Sequence, residues 1–419
     1  MSARECSHIS SNWEYSRQMH DNWGRVLAGA IVGSATGISA VLLYTNGLFV
    51  AGLTRDLGLT RSQFGFGVLL VTLALAAANP LVGWAVDRFG PRVPSLVGLL
   101  LLSAGFVSMG LLVNSVASYL ILQSLVALVG AASGPIAYTK FIGSTFTQRR
   151  GLALGLTMTG IGLSAAILPP ILAVIIESRG WRAGYLALAV VPLVGAIATG
   201  VIFPRRAPAS TSDSQQQKAN LPASREWLRS RAFWTLAITF AAMSLSFGGL
   251  LPHFVPMLMD AGLDPISAAR TAGEIGLAVI ASRIVVGVLL DRVFAPRIAI
   301  AICIIGASGG VTLLLGGAPY ASVTAIALGL ALGAELDLMG FLVSRYFRIA
   351  DFGRIYGWQY GAFIFASGLG PLWVGAVRDS TGTYTHALAA SSIGLILTCA
   401  GFLALPPYPA IRPQEPGNG

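Results

Sequence analysis

The sequence predicts an all-α integral membrane protein with twelve transmembrane helices in two pseudo-symmetric six-helix bundles. The first observation is composition, because 55% of the 419 residues are hydrophobic and only 11% are charged, whereas soluble domains carry about 25% charged residues. The second is the length of the apolar stretches, most of which reach the roughly 20 residues that a helix needs to cross the hydrocarbon. The third is a charged segment that recurs after about half the chain.

The apolar stretches define the twelve helices, because backbone polar groups inside a bilayer must be satisfied within the spanning segment. Helices 1 to 6 are predicted over 25–52, 63–85, 93–113, 117–143, 152–176 and 183–203. Helices 7 to 12 are predicted over 232–259, 267–290, 298–316, 320–344, 355–377 and 384–406. The chain is therefore divided into an N-terminal tail (1–24), a first bundle (25–203), a polar linker (204–231), a second bundle (232–406) and a C-terminal tail (407–419).

The basic residues predict which ends of the helices face the cytosol. With the N-terminus inside, 20 Lys and Arg residues fall on the inner side and six on the outer side, and basic residues accumulate on the cytosolic side of membrane proteins. We therefore expect a multi-pass protein of the cell inner membrane with both termini cytosolic. This bias accounts for the net charge of +10 without a nucleic-acid partner. The lipid bilayer is the expected surrounding, and the protein is expected to be a monomer.

The sequence contains no pattern typical of an enzyme. Cys6, Cys303 and Cys399 are far apart, and two of them lie in apolar stretches, which predicts buried thiols rather than disulfides or metal ligands. There is no cluster with metal-ligand spacing and no Gly-x-Ser-x-Gly segment. We therefore expect no catalytic residue, no metal and no cofactor.

The recurring segment lies between helices 2 and 3 and reads Gly83-Trp-Ala-Val-Asp87-Arg88-Phe-Gly90-Pro-Arg92. Three of its residues are repeated at an offset of 204, as Gly287, Asp291 and Arg292. Arg150 and Arg354, which precede helices 5 and 11, show the same offset of 204. A charged hairpin that occurs in both halves indicates a duplicated membrane bundle whose halves move about a central site.

The first copy matches the pattern G-x-x-x-D-R-x-G-x-R at every defined position and closely resembles the signature of the major facilitator superfamily. With the twelve spans and the repeat, the resemblance covers nearly the whole chain and implies a transporter. It also implies that Asp87 contacts the start of helix 11 near Tyr356 and closes the cytosolic side, and that Asp291 does the same at helix 5 near Gly151. An acidic group is favourable at a helix N-terminus. The candidate gating residues are Asp87, Arg88, Arg92, Asp291, Arg292, Arg150 and Arg354.

Several further segments resemble the monocarboxylate and oxalate/formate transporter branch of that superfamily. They include residues 149–155 at helix 5, 251–256 in helix 7 and 333–338 in helix 10. The branch implies a small organic carboxylate as substrate, moved with a proton or by exchange, and an arginine in helix 8 that binds the carboxylate. Arg283 occupies that position. Phe363 stands where the oxalate exchanger has a lysine, which makes dicarboxylate exchange the less favoured interpretation.

Arg283, Glu335 and Asp337 are charged residues at similar depths inside the predicted bundle, by the rise of a helix. Such charges are costly in a membrane and are expected to be paired or functional. A guanidinium binds a carboxylate through two parallel hydrogen bonds. Glu335 and Asp337 point about 200° apart on one helix, so only one of them can face the same cavity as Arg283. We hypothesise that one of the two binds the coupling proton, the alternative being a permanent structural ion pair.

Six other polar residues in the spans are candidates for substrate contacts, the alternative for each being packing or a gate. They are expected to supply hydrogen bonds and an aromatic wall, and they are His253, Tyr44, Asn46, Tyr138, Gln359 and Tyr360. The predicted function is therefore secondary transport of a small organic monocarboxylate, with a proton as the coupling ion. Anion exchange is the first alternative and drug/proton efflux the second, while a non-transporting receptor or a membrane enzyme is least favoured.

Overall fold

Helices make up nearly all of the structure, which is a computed structural model. The residues that it describes are 24–146, 149–202 and 225–408. Within these ranges there is no β-strand, and ten helices are long and apolar enough to cross a membrane. The prediction of an all-α membrane bundle is confirmed. Most of the predicted N-terminal tail, linker and C-terminal tail lies outside the described residues.

The ten long helices correspond to the twelve predicted ones once two features are considered. Arg150–Ile202 contains helices 5 and 6, and it is interrupted at Gly180, whose φ of 82° is not helical. Helix 1 is divided into shorter pieces and is therefore not among the ten. Its pieces are 24–36, Ile38–Thr45, the 3-10 turn Asn46–Phe49, and Val50–Leu57.

The other helices begin and end within a few residues of the predicted bounds. Helices 2 to 4 comprise Arg61–Phe89, Arg92–Leu112, and the segments Val116–Gly130, Ala131–Ser133 and Pro135–Thr145. A 3-10 turn at Arg225–Arg229 precedes helix 7, which comprises Arg231–Leu250, Leu251–His253 and Phe254–Asp260. Helices 8 to 12 comprise Pro265–Leu290, Ala295–Gly316, Ala321–Tyr346, Phe352–Thr381 and Thr385–Leu403. The breaks in helices 4 and 7 fall at Pro135 and Pro252, which cannot donate a backbone N–H.

The two halves meet along two helix pairs, helix 2 with helix 11 and helix 5 with helix 8. Glycines line both contacts. A Cβ atom on Gly357 would come within 2.5 Å of the main-chain oxygen of Asn79, and one on Gly151 within 2.5 Å of that of Gly287. Small residues let helix backbones approach this closely. Both charged hairpins lie at the same end of the bundle, which we call the hairpin end.

The same helix pairs separate towards the opposite end. Arg283 and Gly276 lie on one face of helix 8, because seven residues are almost two full turns. The main-chain oxygen of Arg283 contacts Gly155 of helix 5, whereas a Cβ atom on Gly276 would meet no described atom within 4 Å. Helix 2 behaves in the same way, since Thr72 packs against helix 11 while a Cβ atom on Gly65 would meet nothing described within 4 Å. The halves are therefore in contact at the hairpin end and apart at the other.

Candidate functional site

Arg283 and Asp337 form an ion pair inside the bundle. Arg283 Nη1 lies 3.6 Å from Asp337 Oδ1, and the two side chains are 5% and 0% exposed. This separation exceeds ordinary hydrogen-bond length. Arg283 Nε and Nη1 and both carboxylate oxygens of Asp337 have no hydrogen-bond partner within the described residues. Because buried polar groups are normally hydrogen-bonded, this pair has unused capacity to bind a further polar group.

Glu335 is buried on the same helix but is not the ion-pair partner of Arg283. It interacts electrostatically with Cys303 of helix 9 as well as with Arg283. Its Oε1 has no hydrogen-bond partner in the part of the chain that the structure describes. The structure therefore places Asp337, rather than Glu335, against the guanidinium, a choice that the sequence left open.

Helix 11 supplies an aromatic face beside this pair. The rings of Phe352, Tyr356, Tyr360 and Phe363 stack in succession, with centroid separations of 5.4, 6.0 and 6.0 Å. Residues three or four positions apart share one side of a helix, which aligns the four rings. Tyr356 and Tyr360 both interact electrostatically with Arg283. Tyr356 was named in the sequence only as a marker for the start of helix 11 and not as a substrate contact, although its spacing from Tyr360 was the available signal.

The first half reaches the same region through neutral hydroxyl groups. The Ser39 hydroxyl of helix 1 lies 3.3 Å from the Tyr360 hydroxyl. Thr139 of helix 4 packs against Gly340, which lies one turn after Asp337 on helix 10. Neither Ser39 nor Thr139 was predicted to belong to the site. Helices 1, 4, 8, 10 and 11 thus converge here, and both halves contribute.

His253 is hydrogen-bonded within the second half. Its Nε2 lies 3.0 Å from the main-chain oxygen of Pro371, and its Nδ1 lies 3.2 Å from the Tyr384 hydroxyl. Because a carbonyl oxygen can only accept, Nε2 donates to it, and in the neutral imidazole Nδ1 then accepts from the tyrosine. Both ring nitrogens are therefore occupied by helix 11 and by the residue that precedes helix 12.

The remaining predicted contact residues are dispersed. Tyr44 is 49% exposed. Asn46 accepts a 3.5 Å bond from a tyrosine of helix 4, and Gln359 donates a 2.8 Å bond to a main-chain oxygen of helix 7. Tyr138 is buried and packs against helix 1. Tyr360 is therefore the residue of the predicted polar set for which the structure gives an interaction with Arg283.

At the hairpin end, Asp87 joins the two halves. Its two oxygens accept bonds of 2.8 and 2.7 Å from the main-chain N–H groups of Gly353 and Arg354 at the start of helix 11. Lys140 of helix 4 donates to Asp87 at 2.5 Å, and the two side chains are 11% and 4% exposed. We call these four residues the first latch. Lys140 was counted in the sequence only as a basic residue of the inner side.

Asp291 makes the corresponding contact from the second half. Its oxygens accept bonds of 2.7 and 3.0 Å from the N–H groups of Gly151 and Leu152 at the start of helix 5. Ser344 of helix 10 accepts a 3.2 Å bond from Arg150. Asp291, Gly151, Leu152, Arg150 and Ser344 form the second latch.

The two latches show that Arg150 and Arg354 are not equivalent positions. Gly151 donates its main-chain N–H to Asp291, and Gly353 donates its main-chain N–H to Asp87. The two glycines are therefore equivalent, and they are 202 residues apart rather than 204. The pairing of Arg150 with Arg354 by constant offset was therefore wrong. The two halves differ by two residues between the hairpin and the helix start, since Gly151 follows Asp87 by 64 residues and Gly353 follows Asp291 by 62.

The other arginines of the two hairpins have different surroundings. Arg88 is exposed, and its guanidinium lies 5.7 Å from the centroid of the Trp84 ring. Arg92 donates a 2.5 Å bond to the main-chain oxygen of Gly200 at the end of helix 6. Arg292 is exposed. The contacts of Arg88 and Arg92 thus stay within the first half.

Comparison with known proteins gives one family. The sequence model described as Major Facilitator Superfamily matches residues 27–359. The chain is 26% identical to human monocarboxylate transporter 11 over 92% of this chain and 83% of that protein. It is 30% identical to the oxalate:formate antiporter of Oxalobacter formigenes over 50% of this chain and 49% of that protein.

Solved structures agree on the fold. The E. coli fucose:proton symporter FucP superposes with a TM-score of 0.69 and 14% identity, over 90% of this chain and 98% of that one. At that identity the likeness concerns the fold alone. The chain belongs to the major facilitator superfamily, and its family and fold are those of membrane transporters and not of enzymes.

Proposed function

We propose that the protein moves a small organic monocarboxylate across the membrane together with a proton, by alternating access. The observation that carries the proposal is Arg283, a buried guanidinium with unused donors at the place where both halves converge. Arginine binds a carboxylate through a planar pair of donors. The names of two relatives, a monocarboxylate transporter and an oxalate:formate antiporter, agree with a carboxylate as substrate.

Asp337 is the proposed site of the coupling proton. In the structure it is the counter-ion of Arg283 at 3.6 Å. A substrate carboxylate and the Asp337 carboxylate repel each other in a low dielectric, and burial favours the neutral acid. Protonation of Asp337 frees Arg283 for the substrate, so the anion and the proton bind together. After both leave, the ionised Asp337 returns to Arg283.

The described state fits an outward-facing transporter if the hairpin end is the cytosolic end, as the distribution of basic residues predicts. Both latches are formed there, and helices 5 and 8 separate beyond Arg283. The main-chain oxygen of Arg283 itself lies in the contact with Gly155. Release of the substrate to the cytosol requires that contact to open. Arg283, which is proposed to bind the substrate, therefore lies on the surface between helices 5 and 8 that moves.

Uptake of radiolabelled monocarboxylates into proteoliposomes tests the binding site. Replacing Arg283 with Ala removes one partner of a buried charge pair and is expected to lower substrate affinity about 100-fold. Arg283→Lys keeps the charge without the planar fork, and its substrate affinity is expected to lie between those of the wild type and Arg283→Ala. Transport by Arg283→Ala at the wild-type substrate affinity would exclude this site.

The proton is tested separately with a pH gradient. Asp337→Asn is expected to lose proton-driven accumulation, while Glu335→Gln is the matched control on the same helix. Accumulation by Asp337→Asn equal to that of the wild type would contradict the proposed coupling. Vesicles without internal anion separate symport from exchange, since an exchanger takes up nothing without a counter-anion.

A further inference from the structure

A basic cavity lies beside the second latch at the hairpin end. It has a volume of about 580 Å³ and is lined by residues of both halves. Arg149 and Arg150 come from the first half, while Asp291, Arg292 and Arg345 come from the second. Four arginines and one aspartate therefore line the cavity, which gives its lining a formal charge of +3.

Acidic side chains balance only part of the positive charge of this cavity. Both oxygens of Asp291 accept bonds from main-chain N–H groups of helix 5. Among the described residues, none of the four arginines forms an ion pair. Arg150 and Arg345 are close enough to repel each other. Clustered like charges repel one another, and a bound anion reduces that repulsion.

Two of the arginines are held in place by the fold. Arg150 donates bonds to the main-chain oxygen of Phe146 at 2.8 Å and to Ser344 at 3.2 Å. The guanidinium of Arg345 lies 4.9 Å from the centroid of the Tyr408 ring, a cation–π arrangement. Groups fixed in advance lose less entropy when a ligand binds.

We propose that this cavity binds a phosphate-bearing anion, either the headgroup of an anionic phospholipid or a free phosphate, and that the bound anion holds the halves together. Phosphate presents several acceptor oxygens to the bidentate donors of arginine. The arginines belong to both halves, so the anion binds the closed hairpin end more tightly than an open one. A ligand with such a preference shifts the equilibrium towards the state that it prefers.

The first latch differs from the second in how its carboxylate is paired. There the buried carboxylate of Asp87 is paired with Lys140 at 2.5 Å. In the second latch no Lys or Arg side chain forms an ion pair with Asp291 among the described residues. We therefore assign the anion site to the cavity beside the second latch, whose arginines form no ion pair among the described residues.

The test uses the full chain in phosphatidylcholine nanodiscs. Inorganic phosphate is titrated in one arm, and phosphatidylglycerol replaces part of the lipid in the other. In the wild type, either ligand is expected to slow amide hydrogen exchange at residues 149–154. The double variant Arg292→Gln/Arg345→Gln is expected to bind about 100-fold more weakly, at about tenfold for each charged hydrogen-bonding group lost.

The controls distinguish specific binding from general charge effects. Arg229→Gln removes an exposed arginine that precedes helix 7 and does not line the cavity, and it is expected to bind as the wild type does. If the glutamine variant does not fold, Arg292→Lys/Arg345→Lys replaces it and is expected to bind about tenfold more weakly, because lysine lacks the planar fork.

The two arms identify the source of the phosphate. Protection by inorganic phosphate supports a soluble ligand, and protection by phosphatidylglycerol alone supports a lipid headgroup. The proposal is rejected if neither ligand slows exchange at 149–154 in the wild type. It is also rejected if the double variant binds as tightly as the wild type, or if Arg229→Gln weakens binding as much as the double variant does.

Discussion

The two latches join equivalent parts of the two halves, yet they differ in burial and in charge. Asp87 is 4% exposed and paired with Lys140, which is 11% exposed. Asp291 is exposed, and among the described residues no Lys or Arg side chain forms an ion pair with it. Both carboxylates cap a helix through two main-chain N–H groups.

This difference predicts that the first latch is the stronger one and that the second responds more to a bound anion. Removing one partner of a buried ion pair leaves an uncompensated charge, which costs about 3–5 kcal/mol. An exposed carboxylate at a helix N-terminus contributes only about 0.3–1 kcal/mol. The first latch is therefore expected to supply most of the stability of the closed hairpin end. The second, weaker latch is the one at which a bound anion has the larger relative effect.

The largest effect is expected from Asp87→Asn. The amide cannot neutralise the buried Lys140 and accepts only one of the two N–H bonds, so the closed hairpin end is expected to lose about 3 kcal/mol. Spin labels on Phe89 and Val293, which are exposed near the hairpin ends of helices 2 and 8, report the distance between the halves. A longer-distance population should appear in the variant, and an unchanged distribution would contradict a dominant first latch.

Lys140→Met tests the same latch from its other partner. Asp87 keeps its bonds to helix 11 but becomes a buried, unpaired charge. The closed hairpin end is expected to lose about 2 kcal/mol of stability. This is less than for Asp87→Asn, because the bonds to helix 11 compensate part of the charge. The double variant Asp87→Asn/Lys140→Met should cost less than the sum of the single variants. Strict additivity would show that the two side chains do not interact.

Asp291→Asn is the matched change in the second latch. It removes an exposed charge from the N-terminus of helix 5, and the closed hairpin end is expected to lose about 1 kcal/mol of stability. The same pair of spin labels measures it. An effect as large as that of Asp87→Asn would remove the distinction between the two latches.

Ser344→Ala is expected to have the smallest effect. It removes the acceptor of the Arg150 bond in a partly exposed position, which corresponds to about 0.5 kcal/mol. A shift in the distance distribution larger than that of Asp291→Asn would mean that Arg150, and not Asp291, carries the second latch.

The fold was predictable because its signals are local in sequence. Apolar length defined the helices, and the spacing of Gly83, Asp87 and Arg88 defined the hairpins. Because the rise per residue of a helix is constant, the sequence placed Arg283 and Asp337 at similar depths in the membrane. Contacts between distant helices were less accessible, because they depend on how each helix is rotated about its axis. The pairing of Asp87 with Lys140 was missed for this reason.

Isolated polar residues were the weakest predictors of the site. His253, Asn46 and Gln359 were candidates because each is polar in an apolar span, yet each has a hydrogen bond to a neighbouring helix or loop. A polar group in a membrane must find a partner, and the sequence does not show where that partner lies. Ser39 and Tyr356 were not predicted as substrate contacts, because a hydroxyl group in an apolar span does not by itself indicate a site.

The ion pair of Arg283 and Asp337 has an electrical consequence in the proposed cycle. The empty site carries one positive and one negative charge, and the loaded site carries Arg283, a substrate anion and a neutral Asp337. The formal charge is zero in both cases, so neither crossing moves net charge through the membrane. A potential of 100 mV acts on each transferred charge with about 2.3 kcal/mol, and here it would act on none. The pH gradient, and not the membrane voltage, would drive accumulation.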